Sequence, residues 1–179
     1  MIGYGGAPRG STSAVRSMGY TDSMQYHTGT DQVNRTTYGG TQYRWIEGLW
    51  DNCEDWVDGV YLSGSSVYAI LDPTNFSDNS NGTWVRTKVT SGGYITAFGI
   101  SSTSGFEWFM YPSATSGGSQ STYICDGYST RSTGVALHVG GSYYYPSLDD
   151  GLFNHDSYSD NSRGYSYVGT RLIELPQTD

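Results

Sequence analysis

Chemistry needs particular side chains at particular separations, and this sequence offers few such sets. Cys53 and Cys125 are far apart, and neither forms a C-x-x-C pair. His27, His138 and His155 complete no zinc-type spacing. The cysteines read either as two buried thiols or as a disulfide tying an early helix to a distant strand. No G-x-S-x-G element occurs. His155 stands between Asn154 and Asp156 and could imitate a catalytic pair, whereas His138 alternates with apolar neighbours as a structural strand residue does. The acidic run Glu47, Asp51, Glu54, Asp55 and Asp58 could suggest calcium. A calcium loop, however, needs oxygen ligands at alternating positions with a glycine turn. The expectation is therefore no catalytic residue, no metal site, no cofactor and no enzyme.

The residues that could do work of another kind lie late in the chain. Residues 142–167 read SYYYPSLDDGLFNHDSYSDNSRGYSY, and 19 of these 26 are Tyr, Ser, Asp, Asn or His. Tyrosine gives a stiff, amphipathic contact surface at low entropic cost, and small polar residues give adaptable hydrogen bonds. That chemistry is recognition. The five residue types also share a genetic property: each is at most one adenine substitution from an asparagine codon of the form AAY. Glu, Gln, Lys, Trp and Met cannot arise that way, and none of them occurs in the stretch.

Something must hold such a surface. From Trp45 to Asp58, at about 100° per residue, Trp45, Ile46, Leu49, Trp50, Cys53, Trp56 and Val57 fall on one face. The acidic residues fill the other, so the pattern predicts an amphipathic helix with a solvated carboxylate face. Short strand-like runs follow, at Val60–Leu62, Val67–Leu71, Trp84–Val89, Tyr94–Ile100, Phe106–Tyr111, Thr122–Cys125, Gly134–Val139 and Arg171–Leu175. Asp72-Pro73, Asn81-Gly82, Gly92-Gly93 and Gly117-Gly118 punctuate them. One early helix and many short strands predict an α+β fold with antiparallel sheet and long loops. Residues 1–40, rich in Gly, Ser and Thr, read as an extension or connector to a domain spanning 41–179.

Charge narrows the partners. The 179-residue chain carries net charge −8, and its nine basic residues include a single lysine, Lys88. Phosphate backbones need clustered cations, so nucleic acid is not expected. No apolar run approaches the roughly 20 residues of a membrane span, so no insertion is expected. The N-terminal MIGYGGAPRG lacks the pattern of a signal peptide.

Several of these segments resemble a known family. Ala136-Leu-His-Val-Gly-Gly-Ser-Tyr, Asp150-Gly-Leu-Phe and Val168-Gly-Thr-Arg-Leu are similar to the variable region of proteins diversified by retroelements that rewrite adenines. Asp51-Asn-Cys-Glu-Asp-Trp-Val-Asp58 is similar to the G-N-V-x-E-W motif of the C-type lectin fold of the formylglycine-generating-enzyme type, with Asp51 for the Gly and Cys53 for the Val. The resemblance spans about residues 43–175, with a variable region at about 136–173. It implies a C-type-lectin-like fold with one or two helices, and a constant scaffold of Gly140, Gly141, Gly151, Leu152, Phe153, Gly169 and Arg171. Leu152 and Phe153 would anchor the variable loop in the core, and Arg171 would bond carbonyls or a carboxylate near the last strand.

The displayed, ligand-binding positions would be Tyr143, Tyr144, Tyr145, Ser147, Asp149, Asn154, His155, Asp156, Tyr158, Asp160, Asn161, Tyr165 and Tyr167. The partner would be a host-cell surface protein or a glycan receptor, met at a virion tail tip or a cell surface. The missing signal peptide favours a phage origin, and a homo-oligomer would add avidity. The alternatives are a structural virion protein, a calcium-independent carbohydrate-binding lectin and a formylglycine-generating-type enzyme. That enzyme chemistry uses cysteines late in the chain, and the last one here is Cys125. No Glu-Pro-Asn or Gln-Pro-Asp motif supports a calcium-dependent lectin, and Asp72-Pro73-Thr74 reads as a turn.

Overall fold

The structure is a computed structural model describing residues 28–30, 41–43, 46–47, 53–77, 82–119, 122, 124, 126–131, 136–141, 151–160, 162 and 164–169. Sheet dominates it. Among the described residues the one helical element is a 3-10 turn, Pro73–Asn75, capped by the Asp72 carboxylate on the Thr74 amide. No helix among them is long and apolar enough to cross a membrane.

The helix expected from Trp45 to Asp58 is not formed at the described residues of that segment. Strands β3 (Ile46–Glu47) and β4 (Glu54–Trp56) occupy parts of that segment. The reason is tertiary. An isolated helix of this length is marginal in water, whereas β4 gains hydrogen-bonded neighbours on both sides. The α+β expectation gives way to a mostly β chain of several sheets, chiefly antiparallel. The early strands β1 (Thr28–Thr30) and β2 (Thr41–Tyr43) join β3 in one antiparallel sheet. Part of the segment expected to be an extension, residues 1–40, thus pairs with the segment that follows.

The middle of the chain follows its alternation. Strands β5 (Val60–Ser63), β6 (Ser66–Ala69) and β7 (Thr83–Thr87) form an antiparallel meander. The two-residue connection from β5 to β6 begins at Gly64, whose φ of 56° suits the tight turns that match strand twist. Leu62 sits opposite Val67, and both are fully buried, with Ala69 and Val85 beside them in the core. The run Tyr94–Ile100 divides into β8 (Gly93–Tyr94) and β9 (Ala97–Ile100). Strand β10 (Met110–Ala114) pairs with β9 across a bulge at Pro112. Proline donates no ladder bond, and this two-stranded sheet tolerates it at an edge. The expected run Phe106–Tyr111 lies mostly in the turn before β10, where Phe106 and Phe109 still reach the core.

The six-stranded sheet brings distant segments together. Its order is β14 (Val168–Gly169), β4, β12 (His138–Val139), β13 (His155–Ser157), β11 (Gly127–Thr130) and β8. Strand β14 runs parallel to β4, and β13 parallel to β11; the other pairs are antiparallel. The strand expected at Thr122–Cys125 begins later, at Gly127, and Arg171–Leu175 lies outside the described residues.

Leu62→Ala would remove a fully buried side chain from the centre of this core. The expected loss is about 2–5 kcal/mol, the usual range for such truncations, read as a lowered urea midpoint with unchanged slope. A loss below half a kilocalorie would contradict this placement.

Candidate functional site

The Tyr-rich stretch is held by buried polar groups. Strand β13 lies between β12 and β11, with Tyr128 opposite His155 and His138 opposite Asp156. Two clamps fix the chain entering β13. The Asp126 carboxylate, fully buried, accepts the Phe153 amide at 2.8 Å. The Asn154 side chain donates to the Gly140 carbonyl at 2.8 Å, while the Gly140 amide returns to the Asn154 carbonyl at 3.3 Å. Gly151 is required here: a Cβ at that position would run into the Asp126 carboxylate. Burial pushes the Asp126 acid up to about 6, against the pull of the Phe153 amide.

The resemblance assigned this anchoring to Leu152 and Phe153. Both are half-buried, and Phe153 packs obliquely on Phe98 at 5.9 Å. The polar clamp therefore supplements a partial apolar one. A single aspartate 27 residues from its amide partner carries no sequence pattern, so reading the sequence missed it. Gly140 and Gly141 are buried, Gly169 lies in β14, and Arg171 is outside the described residues.

Beneath β13 lies an acid–histidine cluster that the sequence hid. Glu54 on β4 is 1% exposed, although the helix pattern placed it in solvent. Its Oε2 is 3.1 Å from His138 Nδ1, and His138 is equally buried, its ring edge-on to Trp56 at 4.1 Å. Asp156, also buried, faces His138 across the β12–β13 pair. Burial, with Asp156 nearby, pushes the Glu54 acid up to about 9. Burial also holds His138 below its ordinary value. Both shifts favour a protonated Glu54 beside a neutral imidazole at neutral pH. Among the described residues, no group of three or more His, Cys, Asp or Glu is arranged to hold a metal ion.

The expected display positions separate into two groups. Asn154, Asp156 and Tyr167 are buried, which takes them off the surface. Asn154 serves the clamp described above. Asp156 Oδ1 accepts the Tyr158 amide at 2.6 Å, and the Tyr167 carbonyl accepts the Glu54 amide at 2.9 Å. His155 is half-buried, its Nδ1 donating to the Phe153 carbonyl at 2.8 Å and its ring packed against Phe98 and Tyr111. These side chains are fixed because a buried polar group left unpaired is costly.

Tyr158, Asp160 and Tyr165 reach the surface. Tyr158 is 53% exposed, and the Arg131 guanidinium lies 4.9 Å from its ring centroid. Arg131 also approaches Asp160 at 3.4 Å, and Asp160 holds both the amide and the hydroxyl of Ser162. Tyr165 is half-buried and stacks on Tyr167 at 5.0 Å. Behind Arg131, the buried Lys88 ammonium donates to its backbone carbonyl at 2.8 Å. Tyr143, Tyr144, Tyr145, Ser147, Asp149 and Asn161 lie outside the described residues, as does Cys125; Cys53 is half-buried. The arrangement places an aromatic face beside a guanidinium and a carboxylate. None of the protein-family models, curated proteins and solved structures compared with the chain matches it.

The Glu54 proton gives a pH signature. Between pH 7 and 9 an unfolded Glu54 is ionised while the folded one keeps its proton, so stability falls as pH rises. Glu54→Gln, which mimics the protonated acid, should flatten this decline in urea titrations. An undiminished slope in the variant would assign the decline to another group. Gly151→Ala should separately lower the melting temperature by several degrees, since Asp126 must shift; an unchanged value would count against the clamp.

Proposed function

We propose that this chain recognises a ligand through a variable, tyrosine-bearing surface mounted on a constant scaffold of the C-type-lectin kind. The observation that carries this reading is the split within one short segment. Asn154 and Asp156 are locked into the scaffold, while Tyr158, two residues on, stands exposed beside Arg131. Such a segment changes at its surface without disturbing its foundations. Pre-ordering limits the entropy lost on binding, and exposed Tyr with a neighbouring Arg is the composition of binding hot spots.

The resemblance to retroelement-diversified proteins supports the same reading through Gly140-Gly141, Gly151-Leu152-Phe153 and the adenine-accessible residues between the fixed segments. The partner proposed is a surface protein or glycan of a host cell, met from a phage tail tip or a cell surface. No catalytic step belongs to this proposal. Strand β4 replaces the helix expected around Glu54, so the lectin-fold reading rests on the C-terminal stretch and not on that segment.

The gene itself supplies the test. Sequencing the flanking DNA should reveal a near-identical repeat of the segment coding for about residues 136–173, differing only at adenines, beside a reverse-transcriptase gene. In cell-binding assays on the host that such a locus indicates, Tyr158→Ala should weaken attachment while leaving the melting temperature nearly unchanged. A loss of several degrees would make Tyr158 a structural residue and remove it from the recognition surface.

A further inference from the structure

A second set of exposed side chains lies outside the Tyr-rich stretch in sequence. Trp84, Ile100, Trp108 and Met110 are large apolar residues between 43% and 66% exposed. The backbone segments that carry them adjoin. Ile100 and Met110 are direct partners across β9 and β10. Strand β7, which carries Trp84, is stitched to the segment after β9 by side chains. The Thr103 hydroxyl donates to the Trp84 carbonyl at 3.0 Å and the Ser101 hydroxyl to the Val85 carbonyl at 2.8 Å. The Arg86 guanidinium donates to the Ile100 carbonyl at 2.9 Å. Trp108 is pinned although it is the second most exposed of the four: its indole N–H donates to Gly105 at 3.1 Å, and its ring stacks on Phe106. The patch is thus ordered before anything covers it. Clustered exposed apolar side chains of this kind mark interaction surfaces.

Charge indicates what covers it. In a chain of net charge −8, segments 83–87 and 97–114 contain only Arg86 and Glu107 as charged residues. The patch is therefore locally neutral where the chain as a whole is acidic. Neither charge has an ionic partner among the described residues. A two-fold contact between copies of this face would let the Arg86 of each pair with the Glu107 of the other. A two-fold contact needs this self-complementarity, because the same patch faces itself. Two copies of so acidic a chain would repel over most of their surfaces, and this neutral face is where they can approach. Edge-to-edge strand pairing is not the route, since Pro112 and the bulge blunt β10.

We propose that Trp84, Ile100, Trp108 and Met110 form a homodimer interface, with Arg86 and Glu107 pairing across it. Its elements lie outside residues 142–167, so a dimer would carry two copies of the Tyr158 surface.

Sedimentation velocity of the full chain over a wide concentration range tests this. The expected result is a dimer that dissociates on dilution, with tryptophan emission shifting to the red as it does. Ile100→Glu and Glu107→Arg should each weaken association by about tenfold or more, the scale of losing a hot-spot contact. Both positions are exposed, so circular dichroism and melting temperature of the dilute monomer should stay unchanged. A wild-type chain that remains monomeric throughout overturns the proposal and leaves the patch to a different protein or a glycan. A dimer insensitive to both substitutions also overturns it, placing the interface elsewhere.

Discussion

The bond between Glu54 and His138 is the interaction on which the rest of the structure depends. It joins β4, early in the chain, to β12, and Asp156 on β13 faces the same histidine. Three strands from distant parts of the sequence thus meet at one buried polar cluster. An ionised pair there would carry a large desolvation cost. Keeping Glu54 protonated and His138 neutral avoids most of it, while a donor and an acceptor still meet at fixed positions. Apolar residues in the same places would bury as well but would specify register less sharply, since a one-residue slip here separates donor from acceptor.

The same logic recurs outward from that centre. Asp126 takes the Phe153 amide, Asn154 takes the Gly140 carbonyl, and Asp156 takes the Tyr158 amide. Each is a side chain holding backbone at the border between sheet and loop. A loop fixed in this way needs little help from the side chains at its surface. The hydroxyls of Tyr111 and Tyr128, 3.1 Å apart, extend the arrangement into the aromatic core, where Tyr128 reaches the Val89 carbonyl. Polar atoms that would otherwise be costly to bury become the fasteners of a chain with few long strands.

How much of this the sequence discloses depends on the range of the interaction. The β5–β6–β7 meander is legible because alternation and turn residues are local, as at Leu62, Gly64 and Val67. Strand β4 was not legible, because Trp45 through Val57 mimic a helical stripe and the partners of β4, Trp56 with His138 and Glu54 with Val168, are remote in sequence. The acidic run misled for the same reason: a glutamate looks like a surface residue until its histidine is found. Within the candidate site, composition marked a stretch but could not sort its buried from its exposed positions. Asn154, Asp156 and Tyr158 alternate along the chain as one face would, and only the tertiary packing shows the first two buried and the third exposed.

Lys88 is the only lysine in the sequence, and its ammonium is buried against the Arg131 carbonyl. The folded protein therefore shows reagents no reactive side-chain amine from these residues. Cross-linkers, biotin esters and aldehydes that seek lysine would find that position only when β7 parts from the segment bearing Arg131. The residue is in effect a latent chemical tag: the rate at which it becomes labelled is a clock for opening of the scaffold behind Tyr158, with no engineered probe needed.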